Sequence, residues 1–419
     1  MNDIVIAGIG MTGLGKMPDR SVKDLSAEAV NLALSDACAR VEDIEAAWFS
    51  NTRQQMLEGQ NTIRGQIALR PLGFESIPIC NVENACASGS SALYQAVTHI
   101  RAGMAEMVLV LGAEKMFFPE KRDAMFKAFM GGTDIDRLDE FSEAIEQTAV
   151  DMIPEPLRNI DTGQRSFFMD SYAAQARLHM KTFGTRQDQL AMAAAKNHWH
   201  STMNPLAQYQ NDMSTEEIMN ARLISWPFTL PMCAPISDGA ACAVVCSSSA
   251  LGKLEKRGYQ RQRAIRIRGI HLASGQSRAP DDFAQHIGRV AALGAYEQAG
   301  IDGKDVDVAE VHDATAYAEI QQIENLGLCN IGEGGAFTEA GETTLGGRVP
   351  VNPSGGLVSK GHPVGATGIM QLQELCTQLR GEAGKRQVEN PRIAVAENGG
   401  GFYEHEEAAT VVTVLERQS

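Results

Sequence analysis

The chain has 419 residues, 44% of them hydrophobic and 21% charged, which supports one large or two medium globular units and excludes a chain too polar to fold. A formal net charge of −15 excludes a basic footprint for nucleic acid or an anionic membrane surface, so an anionic ligand must be met by local donors. No window approaches the roughly 18 to 20 continuous apolar residues of a membrane helix, so no membrane partner is expected.

The opening "MNDIVIAGIGMTGLGK" predicts a first strand running into a glycine turn, because it lacks the basic n-region and small-residue cleavage site of a secretory signal. Gly8, Gly10 and Gly13 spell G-x-G-x-x-G, but Lys16, Met17, Pro18 and Asp19 follow where a dinucleotide site needs a helix N-terminus. A phosphate loop over Gly10 to Lys16 fails as well, since Met17 replaces the magnesium-binding hydroxyl. A strand followed by a glycine turn is the expectation for both. Eight scattered cysteines (38, 80, 86, 233, 242, 246, 329 and 376) form no C-x-x-C pair, which fits a reducing cytoplasm and gives the chain no zinc set. The terminal "VLERQS" carries no peroxisomal or retention tripeptide.

The chain then repeats a plan. Residues 27–51 read as an amphipathic helix, a turn and a strand, and residues 289–313 have the same order. Aligning Asp43 with Asp305 sets Ser50 opposite His312. A second pair, "ACASGSSALYQAV" (85–97) and "GHPVGATGIMQLQ" (361–373), enters helices through small residues, and aligning Gly89 with Gly365 sets Cys86 opposite His362. Each is followed by an apolar strand, 106–114 and 391–399. Alternating strands and helices predict α/β halves related by a pseudo-twofold, the first spanning 1–250 and the second 251–419. Residues 115–225 interrupt the first half with an acidic, Met- and Phe-rich stretch and a long helical pattern, an insertion of the kind that carries substrate determinants.

Cys86, in "NVENACASGSS", lies among polar and tiny residues before a helix. The helix N-terminus and a nearby imidazole are expected to lower its pKa and make it a nucleophile. Its own N–H could serve an oxyanion. The competing reading is an inert buried thiol, against which Asn81, Glu83 and Asn84 weigh. His362, between Gly361 and Pro363, fits a base or orienting role toward Cys86. His312, beside Asp313, could donate to a carbonyl oxygen, or be a satisfied core histidine. His198 and His200 are two apart and share no helix face, so no metal site is expected there. Phe117, Phe118, Phe126, Phe129, Met130, Phe167, Phe168 and Met169 offer either surface for a bulky or aryl acyl group or simple core packing for the insertion.

Together, "NVENACASGSSAL", "HDATA", "NPSGGLVSKGHPVGATG" and "ENGGGF" resemble the four signature segments of the thiolase superfamily, and "HDATA" is similar to the sterol-carrier-protein-2-type thiolases of the acetyl-CoA acetyltransferase family. The resemblance implies a five-layered αβαβα fold with two pseudo-twofold halves and an inserted loop domain that holds coenzyme A. It makes Cys86 the acylated nucleophile, His362 its base, and His312 a donor to the thioester oxygen of the enolate. Gly399 with the Cys86 N–H would line a second oxyanion hole, and Ser354, Gly355 and Gly356 would serve coenzyme A. The second cysteine of most thiolases is absent, its two family positions matching Glu397 and Ala314, so Glu397 or a water held by the histidines would return the proton. The implied reaction is reversible thiolysis of a 3-oxoacyl-CoA with coenzyme A as co-substrate and no covalently bound cofactor. Aldolase-type cleavage of a 3-hydroxyacyl-CoA and a non-catalytic coenzyme-A-binding scaffold are the alternatives. The resemblance also implies a homodimer and a small partner subunit with a zinc ribbon and an oligonucleotide-binding (OB) fold.

Overall fold

The computed structural model describes residues 3–158, 160–163 and 165–418. Among them the strands are β1 (Ile4–Met11), β2 (Ala46–Ser50), β3 (Ile79–Val82), β4 (Met107–Glu114), β5 (Leu223–Ser225), β6 (Phe228–Thr229), β7 (Gly239–Ser247), β8 (Ile265–Ser274), β9 (Val308–Glu310), β10 (Ile393–Gly400) and β11 (Ala409–Arg417). Nine of these form one mixed sheet in the order β3-β2-β4-β7-β1-β8-β11-β10-β9, and β5 and β6 pair separately. The order is symmetric about the junction of β1 and β8. On one side β2 runs parallel to β4, while β7 is antiparallel to β4 and β1. On the other, β9 runs parallel to β10, while β11 is antiparallel to β10 and β8. The counterpart of β3 has shrunk to a single bridge between Ala309 and Val351.

The repeat has a local cause. Asp43 and Asp305 each end a 3-10 turn before a strand and accept the N–H of the residue three before, from Arg40 at 2.8 Å and Asp302 at 2.9 Å. The carboxylate that closes each turn starts β2 and β9 in the same register.

Helices Ser88–Arg101 and Thr367–Leu379 form the middle layer. Their apolar faces share one core with Ile6, Val110 and Val245 of one sheet half and with Ile267, Ala396 and Val411 of the other. Helix Val22–Asp36 covers the outer face of the first half over Val5, Leu109 and Val244. Helix Ile287–Ala299 covers the second over Val395, Val412 and Val414. Every residue of β1, β2, β4, β7, β9 and β10 is therefore buried, on both faces of the sheet, as five layers require. Gly8 and Gly10 belong to this packing: a Cβ on them would stand 2.3 Å from the Ala33 carbonyl and 2.5 Å from that of Ala29. Close contact between helix and strand, with no phosphate involved, explains both glycines.

Between β4 and β7 the chain makes a long excursion whose helices Phe167–Phe183 and Gln187–Ser201 pack, through Tyr172, Leu190 and Ala194, on Ala316, Tyr317 and Ile320. The excursion thus leaves one half and leans on the other, over the place where the two middle helices begin. No described helix is long and apolar enough to cross a membrane.

Candidate active site

Cys86 sits in the turn between β3 and the first middle helix. Ala85 adopts a left-handed backbone (φ 46°), and the Ser88 hydroxyl accepts the Asn84 N–H at 2.8 Å while donating to the Ala85 carbonyl at 2.6 Å. This clamp closes the turn and holds half-buried Cys86 at the helix entrance. The end of β10 presses against it: a Cβ on Gly400 would lie 2.3 Å from the Ala87 nitrogen and 2.5 Å from the Asn84 oxygen. Only glycine allows this approach.

The second middle helix delivers His362. Its backbone N–H donates to Ser237 Oγ at 2.9 Å, and its Nδ1 lies 2.8 Å from Thr367 Oγ1. The Thr367 hydroxyl in turn donates to the Pro363 carbonyl at 3.2 Å, which leaves its lone pair to accept Nδ1–H and leaves Nε2 the unprotonated nitrogen. His312 follows β9, and its backbone N–H donates to Glu397 Oε2 at 3.0 Å. Both of its ring nitrogens are buried without a hydrogen-bond partner. One thiol or ring-nitrogen atom from each of Cys86, His312 and His362 lies within 4.8 Å of the others, and the two imidazoles meet edge to face with centroids 5.4 Å apart.

Burial keeps both histidines neutral, His312 lowered to about 4 and His362 well below its ordinary value, the latter helped by His312 and Arg53 nearby. The thiol behaves contrary to the sequence expectation. Burial pushes Cys86 up to about 11, and the Arg53 charge offsets only part of it. The arrangement is a neutral thiol beside a neutral imidazole with a free nitrogen, suited to moving the proton as sulfur attacks. A standing thiolate is not what this geometry holds.

These three residues form the floor of a cavity of about 560 Å³. Its walls are Phe117, Phe126, Phe129, Phe168 and Met169 of the excursion, while Phe118, Met130 and Phe167 stand outside the lining. The far wall is closed by Cys233 and Ala234, which pair with Thr315 and the Ala314 carbonyl. Exposed Lys16, Arg122 and Arg222 ring its mouth.

The remaining site residues expected from the sequence lie behind the floor. Glu397 is fully buried, hydrogen-bonded to the backbone of His312 and outside the lining, and burial holds its carboxyl well above the usual range. Gly399 lies beside Glu407, whose Cγ is 2.8 Å from where a Cβ would stand, and the cavity is lined instead by Gly401. Ser354, Gly355 and Gly356 are buried away from the cavity and offer no face to a coenzyme there. Ser354 Oγ donates to Glu310 at 2.8 Å. A Cβ on Gly355 would meet Ser201 at 2.5 Å, and one on Gly356 would meet Asp313 Oδ2 at 2.2 Å. They shape the loop beneath His362, which His198 and His200 also brace: His198 Nδ1 contacts Ser359 Oγ at 3.1 Å, and His200 Nδ1 contacts the Asn352 carbonyl at 3.0 Å.

Two participants gave little warning in the sequence. Arg53 enters the cavity wall from the loop after β2. Glu407, after β10, accepts the hydroxyl of cavity-lining Tyr172 at 3.0 Å, and burial raises it to about 7. Buried charge in a loop is visible only once the loop is folded.

Comparison with known proteins agrees with this geometry. The family description "Thiolase, N-terminal domain" matches residues 4–220, and "Thiolase C-terminal domain-like" matches 271–416. The chain is 36% identical to sterol carrier protein 2 of Rattus norvegicus, over 95% of this chain and 70% of that protein. It is 35% identical to an acetyl-CoA acetyltransferase of Methanothermobacter thermautotrophicus, over 96% of this chain and 97% of the relative. Identity is 32% to the benzoylsuccinyl-CoA thiolase subunit BbsB of Thauera aromatica, over 95% and 94%. The fold is shared with an Ltp2-ChsH2(DUF35) aldolase (TM-score 0.76, 22% identity, covering 100% of this chain and 99% of that one). It is shared also with human mitochondrial 3-ketoacyl-CoA thiolase in complex with CoA (TM-score 0.68, 16% identity, 100% and 98%). With both thiolase domains matched and full-length relatives above 30% identity, the chain belongs to the thiolase family and is an acyltransferase enzyme.

Proposed function

We propose that the protein is a 3-oxoacyl-CoA thiolase that splits a bulky or aryl 3-oxoacyl-CoA into two acyl-CoA products, reversibly. The observation that carries the reading is the convergence of Cys86, His312 and His362 within 4.8 Å on the floor of an aromatic-walled cavity. The Cys86 sulfur attacks the C3 carbonyl while His362 Nε2 takes the thiol proton. The C2–C3 bond then breaks, leaving the acyl group on sulfur and an acyl-CoA enolate whose thioester oxygen accepts from His312. A proton returns to C2, and the thiol of free coenzyme A attacks the acyl-Cys86 thioester, passing its proton through His362 to the departing Cys86 sulfur, which restores the neutral thiol and imidazole. In this scheme the Cys86 N–H serves the second oxyanion site, with Gly399 backing it from behind the cavity floor.

For the proton to C2, a water held between the two imidazoles fits better than direct transfer from Glu397, which sits behind His312. The Phe117, Phe126, Phe129, Phe168 and Met169 side chains in the lining support an aryl acyl group, as does the substrate in the name of the relative BbsB. The exposed cations at the mouth support coenzyme A as co-substrate, bound by the excursion. We divide the chain into halves at 1–250 and 251–419 with 115–225 as the inserted domain, assembled as a homodimer in the cytoplasm. The DUF35 chain named with the aldolase neighbour supports a second subunit here, which we take to be a small zinc-ribbon and OB-fold partner. Zinc assay of the natively purified complex tests that partner.

The test of the reaction is intact mass of wild type and Cys86→Ser after incubation with a panel of 3-oxoacyl-CoA esters without free coenzyme A. An acyl adduct on wild type alone is expected, and its mass names the acyl class. Turnover of 3-hydroxyacyl-CoA without an adduct would replace this reading by the aldolase one.

A further inference from the structure

The buried cations of this protein are matched with care, and one is not. Arg64 pairs with Glu83 at 2.7 Å, Lys196 with Glu319 at 2.6 Å and Lys360 with Glu310 at 3.1 Å. Lys115 is taken up by two backbone carbonyls and Arg177 by three. Arg53 is 6% exposed and has no ion pair among the described residues. One of its amino groups donates to the Ala128 carbonyl, and its Nε is buried without an acceptor. The guanidinium stacks over Phe129, 4.7 Å from the ring centroid, so helix Arg122–Met130 fixes it from two sides. The nearby Glu114 carboxylate does not serve it. Glu114 is occupied by the Asn51 amide, the Thr52 hydroxyl and the N–H groups of Thr52, Arg53 and Gly365. Nor is Cys86 a standing counterion, its thiol being neutral.

A guanidinium that is rigid, desolvated and short of acceptors, in the wall of a substrate cavity, is a built anion site. We propose that Arg53 is a carboxylate subsite and that the natural 3-oxoacyl-CoA carries, besides its thioester, a free carboxylate on its acyl part. The inference rests on the thiolase reading and narrows it to acidic acyl chains. Coenzyme A phosphates are the other source of anion, and exposed Lys16, Arg122 and Arg222 at the mouth meet those.

The test compares acyl-CoA esters that differ only in that group: an aryl 3-oxoacyl-CoA with a carboxymethyl branch at C2, one with a terminal carboxylate, and the carboxamide of each. Wild type should prefer at least one carboxylate over its amide by about 100-fold in kcat/KM. Arg53→Gln should collapse that ratio and Arg53→Lys restore part of it. A second readout does not need the reaction: alkylation of Cys86 by iodoacetate relative to iodoacetamide should fall about tenfold in Arg53→Gln. Wild type turning over both members of each pair equally overturns the proposal, as does a variant that loses carboxylate and amide in proportion, which marks a coenzyme A or folding role. If no ester acylates Cys86, the thiolase reading fails, and the alkylation ratio alone decides whether Arg53 holds a carboxylate.

Discussion

At the scale of single residues, the chemistry proposed for Cys86 depends on coupling attack to proton transfer. With the thiol pushed up to about 11 by burial, only a small fraction is ionised at neutral pH. Alkylation of Cys86 by iodoacetamide should therefore climb about tenfold per pH unit from 7 to 10. A plateau near pH 7 would mean a preformed thiolate. Glu397 is the second case. Its carboxyl reaches the backbone of His312 but not the cavity, so Glu397→Gln should slow solvent-deuterium exchange at C2 of an acyl-CoA by less than about tenfold, against about 100-fold or more for His312→Ala. Equal losses would make Glu397 the acid. Glu407 gives a stability signature. Its folded pKa of about 7 lies above the unfolded value, so the native state holds an extra proton between the two, and the stability this confers at low pH is lost as pH rises toward 7. Thermal melts from pH 5 to 8 should fall for wild type more than for Glu407→Gln, by on the order of 3 kcal/mol across that window. Parallel curves would place its proton elsewhere.

The elements explain why these residues meet. The two middle helices start side by side, and a Cβ on Gly368 would stand 2.0 Å from Ser90 Oγ and 2.6 Å from the Ser90 nitrogen. Gly368→Ala should force the helix starts apart, cost about 1 to 3 kcal/mol and slow Cys86 acylation, because Cys86 and His362 ride on those starts. Gly252→Ala is the control, since nothing lies within 4 Å of its added Cβ, and it should be neutral or mildly stabilising. Melting temperatures with acylation rates check both. The repeat that aligned Asp43 with Asp305 and Cys86 with His362 was legible because each copy must close the same turn and enter the same helix through small residues. The roles of Ser354, Gly355 and Gly356 were not, because a glycine required by a neighbouring backbone reads like one required by a ligand. Cys86 misled in another way: a helix N-terminus can be seen in a sequence, while the desolvation that outweighs it belongs to walls built from residues far along the chain, such as Met116 and His362. Arg53 was silent for the same reason, being one arginine in a polar loop until the fold removes its water.

Across the whole molecule, charge is distributed against its own average. The chain carries a net −15, yet exposed Lys16, Arg122 and Arg222 stand at the cavity mouth with no ion pair among the described residues. Under the proposed function a polyanionic coenzyme is repelled by the distant field and captured by the local one, and salt acts on the two differently. At about 0.1 M salt the Debye length is near 10 Å, so the remote acidic surface is already screened and contacts at the mouth dominate. Raising salt from about 0.1 to 0.5 M should then raise KM for an acyl-CoA several-fold and leave kcat unchanged. Arg222→Gln should raise KM in the same way and flatten the salt dependence. The matching acyl-pantetheine with an uncharged acyl group, which has no phosphates and no carboxylate for Arg53, should show neither effect, because its reacting end meets the neutral floor of Cys86, His312 and His362. Salt-sensitive turnover of the pantetheine ester would move the phosphate contacts away from the mouth and place the coenzyme differently on the excursion.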